Sequence, residues 1–371
     1  MSDNRKYFFQ VPNSSDMTRK NYIVFALLCC KFLLSAQDPH FSQFYNTQTF
    51  SNPAFIGAYE GSLRGSVIYR SQWASVLDNK AFRTMGGSFD SRFPVSKDDL
   101  MALGANVMND QSGPSNFNIF RAHLGGCYQK KLGGEKKRYS SGRKDQYVNI
   151  GFQAGVGQHR LDQNLWFSNQ FNSSTGQVDL NAPSGEPSIN GSTSTYLDVN
   201  AGMLWYALLG NNKSVHIGGS LLHANAPVLY YRADKNYFEY LKWRWVAQAG
   251  CELPFSPSMS ILPSFIYNVQ GASGMIVGGA NLRYNNRDWR EVAIRMGAWM
   301  RIANQVDKGR AADALILNVT LETEKLNFGL SYDINVSSLL PTTNYRGAFE
   351  FSLTYIQPQE RRGKQVICPH F

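Results

Sequence analysis

The stretch TYLDVNAGMLWY (Thr195–Tyr206) alternates apolar residues with polar or very small residues at every second position. Apolar side chains at every second position from Leu197 to Trp205 fall on one face, and polar or small ones from Tyr196 to Gly202 on the other. Successive side chains of a β-strand point to opposite faces, so the pattern predicts a strand with one apolar and one polar side. A soluble sandwich would alternate in the same way, so strand length must decide the environment.

Many other segments repeat this pattern, among them YVNIGFQAGVG (Tyr147–Gly157) and EVAIRMGAWMRI (Glu291–Ile302), where Arg295 and Arg301 lie on the polar face. They often run to 10–14 residues, whereas a globular strand has about five or six and a tilted membrane strand needs about 9–11. The predicted strands are near residues 62–73, 80–93, 99–109, 117–130, 146–159, 194–208, 214–224, 240–254, 259–270, 275–285, 290–303, 313–323, 325–336 and 346–357. The pattern predicts an all-β fold, a transmembrane antiparallel β-barrel of about 14 strands over residues 62–357.

The connections between these strands alternate in length. Tight turns such as Gly210-Asn211-Asn212 and Thr323-Glu324-Lys325 are separated by mostly longer connections, the longest at about residues 160–193. Short periplasmic turns and longer outward loops are typical of outer-membrane barrels. One inward connection, KKLGGEKKRYSSGRKD (Lys130–Asp145), is long and basic, and is either a solvated loop or a docking surface for an acidic periplasmic partner.

The N-terminal residues 1–36 read as a signal peptide. From Met17, a possible true start, a basic pair precedes an apolar run that is too short to span a membrane and ends at Ser35-Ala36. We therefore expect export, cleavage after Ala36 and residence in the outer membrane, within the lipid bilayer. An exported chain is a poor nucleic-acid partner despite its formal net charge of +10, and its three remaining cysteines indicate no reliance on disulfides.

Catalytic motifs are missing from the sequence after residue 36, which has no G-x-S-x-G, H-E-x-x-H, P-loop or C-x-x-C. His123, His159, His216 and His223 are available, but His216 and His223 differ by an odd step and would point to opposite faces of one strand. We predict no enzyme, no catalytic residues, no metal site and no cofactor.

The segment QDPHFSQFYNTQTFSNPAFIGAYEG (Gln37–Gly61) is rich in aromatics but keeps neither a 2-residue nor a 3.6-residue period. With the following residues to Trp73 it resembles the opening of the PorP/SprF family, which has Q-x-P-x-F-S-Q-Y, then N-P-A and Y-R-x-Q-W. LSYDINVSSL (Leu330–Leu339) and GAFEFSLTY (Gly347–Tyr355) resemble two further family motifs near the C-terminus. Phe44 stands where the family more often has Tyr. The motif residues are Pro39, Phe41, Ser42, Gln43, Phe44, Asn52, Pro53, Ala54, Gly57, Tyr69, Arg70, Trp73, Tyr332, Asp333, Asn335 and Glu350.

The resemblance implies a barrel of the type IX secretion and gliding-motility machinery that helps to deliver or retain specific secreted proteins at the cell surface. The partners it implies are the type IX translocon, periplasmic ring lipoprotein components and cargo with a C-terminal secretion domain. A diffusion porin or small-molecule transporter is the alternative function.

Two roles are open for residues 37–61: a segment that caps the periplasmic mouth or lies in the lumen as a plug, or one that presents its aromatics to a partner. Arg70, Arg295, Arg301 and Asp333 are expected to form a charge network in the lumen. Asp333 should face the lumen if its neighbours face lipid. The tail, residues 358–371, is predicted to be periplasmic because its prolines interrupt strand pairing.

Overall fold

The computed structural model describes residues 38–77, 80–96, 98–113, 117–135, 144–160, 168–172, 175–179, 181–183, 193–210, 212–230, 238–285, 292–305 and 309–358. The predicted signal peptide and nearly all of the predicted tail lie outside these residues. Fourteen long strands form the barrel: β1 (Leu63–Gln72), β2 (Phe82–Pro94), β3 (Leu100–Ser112), β4 (Phe117–Glu135), β5 (Lys144–Arg160), β8 (Thr193–Gly210), β9 (Lys213–Leu222), β12 (Arg244–Ser256), β13 (Met259–Gln270), β14 (Ser273–Asn285), β15 (Val292–Gln305), β16 (Gly309–Thr323), β17 (Leu326–Asn335) and β18 (Arg346–Gln357).

Each barrel strand pairs antiparallel with its neighbours along the chain, and the sheet closes where β1 pairs with β18. At this seam Leu63 is opposite Gln357 and Gln72 is opposite Ala348. Closure gives every described barrel strand a partner on both sides, so the barrel has no open edge whose backbone groups lipid could not satisfy. The predicted fold class and number of strands are therefore confirmed.

Apolar side chains lie on the outside of the barrel and polar side chains on the inside. On β8, Leu197 is 71% exposed whereas its neighbour Asp198 is fully buried, and on β4 Leu124 is 73% exposed. This is the reverse of a soluble protein and is expected of a barrel whose outer face contacts lipid. Among the described residues, no helix is long and apolar enough to cross a membrane.

The barrel has two distinguishable ends. At the short-turn end lie the start of β1, the close of β18, and turns such as those after β8, β12 and β16. At the long-loop end lie the connections from β5 to β8 and from β9 to β12, which carry the two-stranded hairpins β6 (Phe171–Asn172) with β7 (Gln177–Val178), and β10 (Val228–Tyr230) with β11 (Phe238–Tyr240). Short helices complete the fold: α1 (Gln48–Ser51), α2 (Ala74–Leu77), α3 (Leu340–Thr343), and 3₁₀ turns at Pro53–Phe55 and Ser168–Gln170.

Several predicted strands have different boundaries in the structure, and two of these differences lie next to the lumen residues His216 and His223 or to the β10–β11 hairpin. The strand predicted at residues 240–254 begins only at Arg244, because Phe238–Tyr240 pairs with Val228–Tyr230 in the separate hairpin. The strand predicted at residues 214–224 ends at Leu222, and His223 adopts a left-handed backbone conformation with φ 57°. The odd-step argument for His216 and His223 therefore fails, because they do not share one strand, and both are buried.

Candidate functional site

Residues 38–61, hereafter the lumen segment, lie inside the barrel. Of its six aromatic side chains, five are buried and Phe50 is half-buried. Its backbone is irregular apart from α1 and the 3₁₀ turn at Pro53–Phe55. Irregular backbone at membrane depth is tolerated where protein surrounds it, and here the polar inner wall supplies the hydrogen-bond partners.

Two aromatics of the lumen segment pack on a tryptophan of the wall. Phe44 meets Trp299 edge to face with ring centroids 5.2 Å apart, and Tyr45 stacks on the same indole at 5.3 Å. Trp299 is 1% exposed, and its Nε1 donates to Asn318 Oδ1 at 2.8 Å. Within the segment, Phe41 and Phe50 also meet edge to face, with ring centroids 5.8 Å apart. These geometries stabilise aromatic pairs beyond their buried area.

A cluster of charged and polar residues, the seam cluster, holds the lumen segment beside the seam where β1 pairs with β18. It contains Ser42, Gln43, Arg70, Arg301, Asp333 and Glu350. The two carboxylate oxygens of Glu350 accept hydrogen bonds from the backbone N–H groups of Ser42 at 2.7 Å and Gln43 at 2.9 Å. A carboxylate that binds two consecutive N–H groups fixes both the depth and the direction of the backbone.

Arginines satisfy the carboxylates of the seam cluster. Arg70 pairs with Glu350 and, at 3.0 Å, with Asp333. Arg301 pairs with Asp333 at 2.8 Å and donates to Ser42 Oγ at 3.1 Å. The hydroxyl of Ser42 in turn donates to Asp333 at 2.8 Å. Of the four charges expected to meet, Arg70, Arg301 and Asp333 do so, whereas Arg295 pairs with Glu322 at 2.9 Å.

The Asn-Pro-Ala motif lies halfway along the lumen. The Asn52 side chain accepts from the Ala54 N–H at 2.9 Å, which caps the 3₁₀ turn that Pro53 begins. Its amide nitrogen donates to the carbonyls of Met203 at 3.2 Å and Gly219 at 3.3 Å on the wall. The carbonyl of Ala54 accepts from Asn149 Nδ2 at 3.1 Å. One asparagine thus shapes the segment and attaches it to two strands.

Glycines of the wall make room for this motif. A Cβ at Gly202 would overlap the Asn52 side chain, and a Cβ at Gly151 would overlap the backbone of Pro53. Only glycine allows backbone and segment to approach so closely here.

Gly57 anchors the segment near the short-turn end. Its φ of 77° is in the left-handed region, and its N–H donates to Asp90 at 2.7 Å. Arg64 pairs with the same carboxylate at 2.8 Å and donates to the carbonyl of Phe55 at 2.9 Å. The segment leaves the lumen at Gly61 and enters β1 at once.

A second charged cluster, the mouth cluster, holds the beginning of the segment and was not predicted from sequence. It comprises Asp38, Arg121, His123, Asp198 and His223. His223 lies between two carboxylates, with Nδ1 2.7 Å from Asp198 and Nε2 2.6 Å from Asp38. Both partners are acceptors, so both ring nitrogens donate and the ring is positively charged. With Arg121, and with Arg244 at 3.8 Å from Asp38, this gives three cations around two carboxylates.

The two histidines of the mouth cluster have polar partners at both ring nitrogens. The nitrogens of His123 face Asn106 at 3.1 Å and Asp198 at 2.8 Å, and those of His223 face carboxylates, so neither ring is left to act as a base. Within the described residues, no group of three or more His, Cys, Asp or Glu is placed to hold a metal ion.

The remaining motif residues are Pro39, Tyr69, Trp73, Tyr332 and Asn335. Pro39 lines a lumen cavity, and Tyr332 is 44% exposed on the outer face, next to the buried Asp333. Trp73 packs against Phe82 at 5.5 Å beyond the end of β1. Tyr69 is half-buried on β1, and Asn335 donates to Thr343 at 2.9 Å in the connection from β17 to β18.

The basic connection is described only at its base, at residues 130–135 and 144–145. There Lys131 pairs with Asp145 at 2.8 Å, and Lys130 lies 3.6 Å from Asp99. The backbone N–H of Lys131 donates to the carboxylate of Asp99, and this hydrogen bond lowers the pKa of Asp99. Slight desolvation raises that pKa, but by less. Lys130 and Lys131 therefore already have acidic partners.

Comparison with known proteins gives a family match and distant structural likenesses. The model of a family described as "Type IX secretion system membrane protein PorP/SprF" matches residues 33–355. No curated protein gives a significant match. Similar solved structures include the Pseudomonas putida toluene transporter TodX, at 11% identity over 86% of this chain and 95% of that chain with a TM-score of 0.45. The Ralstonia pickettii toluene transporter TbuX is 11% identical over 84% of this chain and 92% of that chain, with a TM-score of 0.42. The KdgM porin is 8% identical over 78% of this chain and 98% of that chain, with a TM-score of 0.30. At these identities and TM-scores the likenesses say nothing about function.

Proposed function

The chain belongs to the PorP/SprF family of type IX secretion system membrane proteins, and we propose that it is a non-enzymatic outer-membrane accessory of that machinery, not a pore. In this role it assists the secretion or surface attachment of specific cargo proteins. A cleaved signal peptide at residues 1–36 directs its export. The observation that carries the proposal is the lumen segment, which occupies the barrel interior. Hydrogen bonds to Glu350 and the ion pairs of Asp38 hold it there.

A filled lumen argues against the alternative of a diffusion porin or small-molecule transporter. The cavity beside the segment, lined by residues such as His40, Phe44 and His223, has a volume of about 40 Å³. That is room for about three water molecules. A porin needs a continuous aqueous channel, and this segment would have to leave the lumen to provide one.

The strength of the anchoring supports a permanent seal. Asp333 and Glu350 are 1% and 0% exposed, and each contacts both an arginine of the wall and the segment. Removing the segment would take the hydrogen bonds of Ser42 and Gln43 away from these carboxylates. It would also separate Asp38 from Arg121 and His223, the buried cations with which it pairs. Breaking a buried ion pair costs about 3–5 kcal/mol, so spontaneous release of the segment is strongly disfavoured.

A barrel with a sealed lumen would bind its partners at its two ends. We place the translocon and the periplasmic ring lipoprotein at the short-turn end, where the basic connection Lys130–Asp145 lies and favours an acidic partner electrostatically. Lys130 and Lys131 are already paired, so residues 136–143, with Lys136, Lys137, Arg138 and Arg143, would supply the charge. Cargo with a C-terminal secretion domain would meet the barrel at the long-loop end.

Deletion of the gene and comparison of the surface proteome test the proposal. We expect a defined subset of surface proteins to be lost from the cell surface and restored when the wild-type gene is returned. Total outer-membrane protein should not change, since general export does not depend on an accessory. Unchanged secretion and surface display in the deletion strain would refute the proposed function.

A further inference from the structure

The lumen segment begins at the long-loop end of the barrel. The backbone N–H of Asp38 donates at 2.8 Å to the side chain of Gln270, which is the last residue of β13. The carboxylate of Asp38 contacts His223, which lies one residue beyond the end of β9. Arg121, its other close partner, is four residues from the start of β4 at the same end. All three partners therefore place Asp38 near the mouth opposite the short turns.

The segment finishes at the other end. The carbonyl of Gly61 accepts from Arg92, two residues before β2 ends, and the N–H of Ser62 donates to Gln357 at 2.9 Å, the last residue of β18. Between these ends, the seam cluster binds residues 42–43, and Asn52 binds the middle of β8 and β9. Contacts thus descend in chain order from one mouth to the other, and the segment traverses the whole lumen.

We propose that the chain is threaded through its own barrel from the long-loop end to the short-turn end, so that the mature N-terminus faces the cell surface and not the periplasm. The inference uses the outer-membrane location in the proposed function, since short turns of such barrels face the periplasm. It is independent of any role in secretion.

Threading has a consequence for assembly. An uncut leader would hold the N-terminus at the inner membrane, so cleavage must precede passage of this end through the barrel. Arg70 and Glu350 are opposite each other at the β1–β18 seam, and both contact the segment. The segment therefore helps to align the two strands of the seam through hydrogen bonds, and we expect it to enter the lumen before or as the seam closes.

Three epitope-tagged variants test the threading. One carries a short tag between Gln37 and Asp38, one carries it after Ala182 in the β5–β8 connection, and one carries it in the turn between β8 and β9. Intact and permeabilised cells are probed with the same antibody, and only variants whose barrels show normal heat-modifiable mobility are compared. The second and third variants are internal references for the two ends.

We expect the N-terminal tag to behave like the tag after Ala182, labelled on intact cells to at least half the level reached after permeabilisation. The β8–β9 tag should be labelled only after permeabilisation. An N-terminal tag that behaves like the β8–β9 tag would overturn the threading. Because the comparison is with internal references, this result is separate from any effect on cargo secretion.

A smaller probe guards against disturbance by the tag. Gln37→Cys is made in a chain whose Cys127, Cys251 and Cys368 are changed to serine, and cells are treated with a membrane-impermeant maleimide. Labelling on intact cells supports the threading. Labelling that requires permeabilisation contradicts it.

Discussion

Arg70 of β1 and Glu350 of β18 are opposite each other across the seam that closes the barrel, and their side chains form a buried ion pair. They are 280 residues apart in the chain. Glu350 also accepts hydrogen bonds from the backbone of Ser42 and Gln43. Barrel closure and retention of the lumen segment therefore depend on the same carboxylate.

Glu350→Gln should loosen both the seam and the segment. The amide keeps the shape but removes the charge that two N–H groups and Arg70 require, so we expect a loss of about 3–5 kcal/mol. On gel electrophoresis, the variant should change from the mobility of a folded barrel to that of an unfolded chain at a lower temperature than the wild type. Protease should also cut within residues 38–61. Glu324→Gln, in the exposed β16–β17 turn, is the matched control and should unfold like the wild type. Equal stability of the two variants would contradict the role of the seam cluster.

Gly202→Val should displace the lumen segment without altering the outer face. Its Cβ would overlap the Asn52 side chain, which binds the carbonyls of Met203 and Gly219. We expect faster hydrogen exchange at the Ala54 amide, because Asn52 also caps that group. Gly87→Val is the control, since its Cβ would meet only the carbonyl of Ser66 at 3.9 Å. A protected Ala54 amide in the Gly202 variant would refute the close-approach argument.

Phe44→Ala should destabilise the barrel by about 3–5 kcal/mol, the usual effect of removing a buried phenylalanine ring. The side chain is 7% exposed and packs against Trp299. Trp299 fluorescence should shift to longer wavelength as water reaches the indole. Phe89→Ala removes the same group from the outer face, where Phe89 is 50% exposed, and should leave the spectrum unchanged. Identical spectra for the two variants would show that Phe44 does not shield the indole.

Strand alternation alone predicts most of the barrel. The two-residue period on β8 and β15 correctly placed Asp198 and Arg301 on the inner face, and the alternation at Tyr332-Asp333 did the same on β17. Side-chain direction is a local property of a strand, so sequence is sufficient for it. The charge network of Arg70, Arg301 and Asp333 follows from the same reasoning combined with the family motifs.

The mouth cluster could not be predicted in this way. Asp38 and His223 are 185 residues apart in the chain. Asp198 lies on β8, and the strand that carries Arg121 and His123, β4, is not its neighbour in the barrel. His223 reaches the lumen because its backbone turns at φ 57°, beyond the strand where alternation applies. The direction of the lumen segment depends on these long-range contacts, and an aperiodic sequence carries no local signal for it.

Conductance of the purified barrel in planar lipid bilayers tests the central claim, that the lumen is sealed, most directly. A variant without residues 39–59 is the positive control and should show stable conductance steps, provided that its heat-modifiable mobility shows a folded barrel. Should that variant not fold, Glu350→Gln serves instead and is expected to give intermittent openings. We expect the wild-type protein to remain closed under the same voltage. Steady wild-type conductance equal to that of the variant would contradict it and favour a porin.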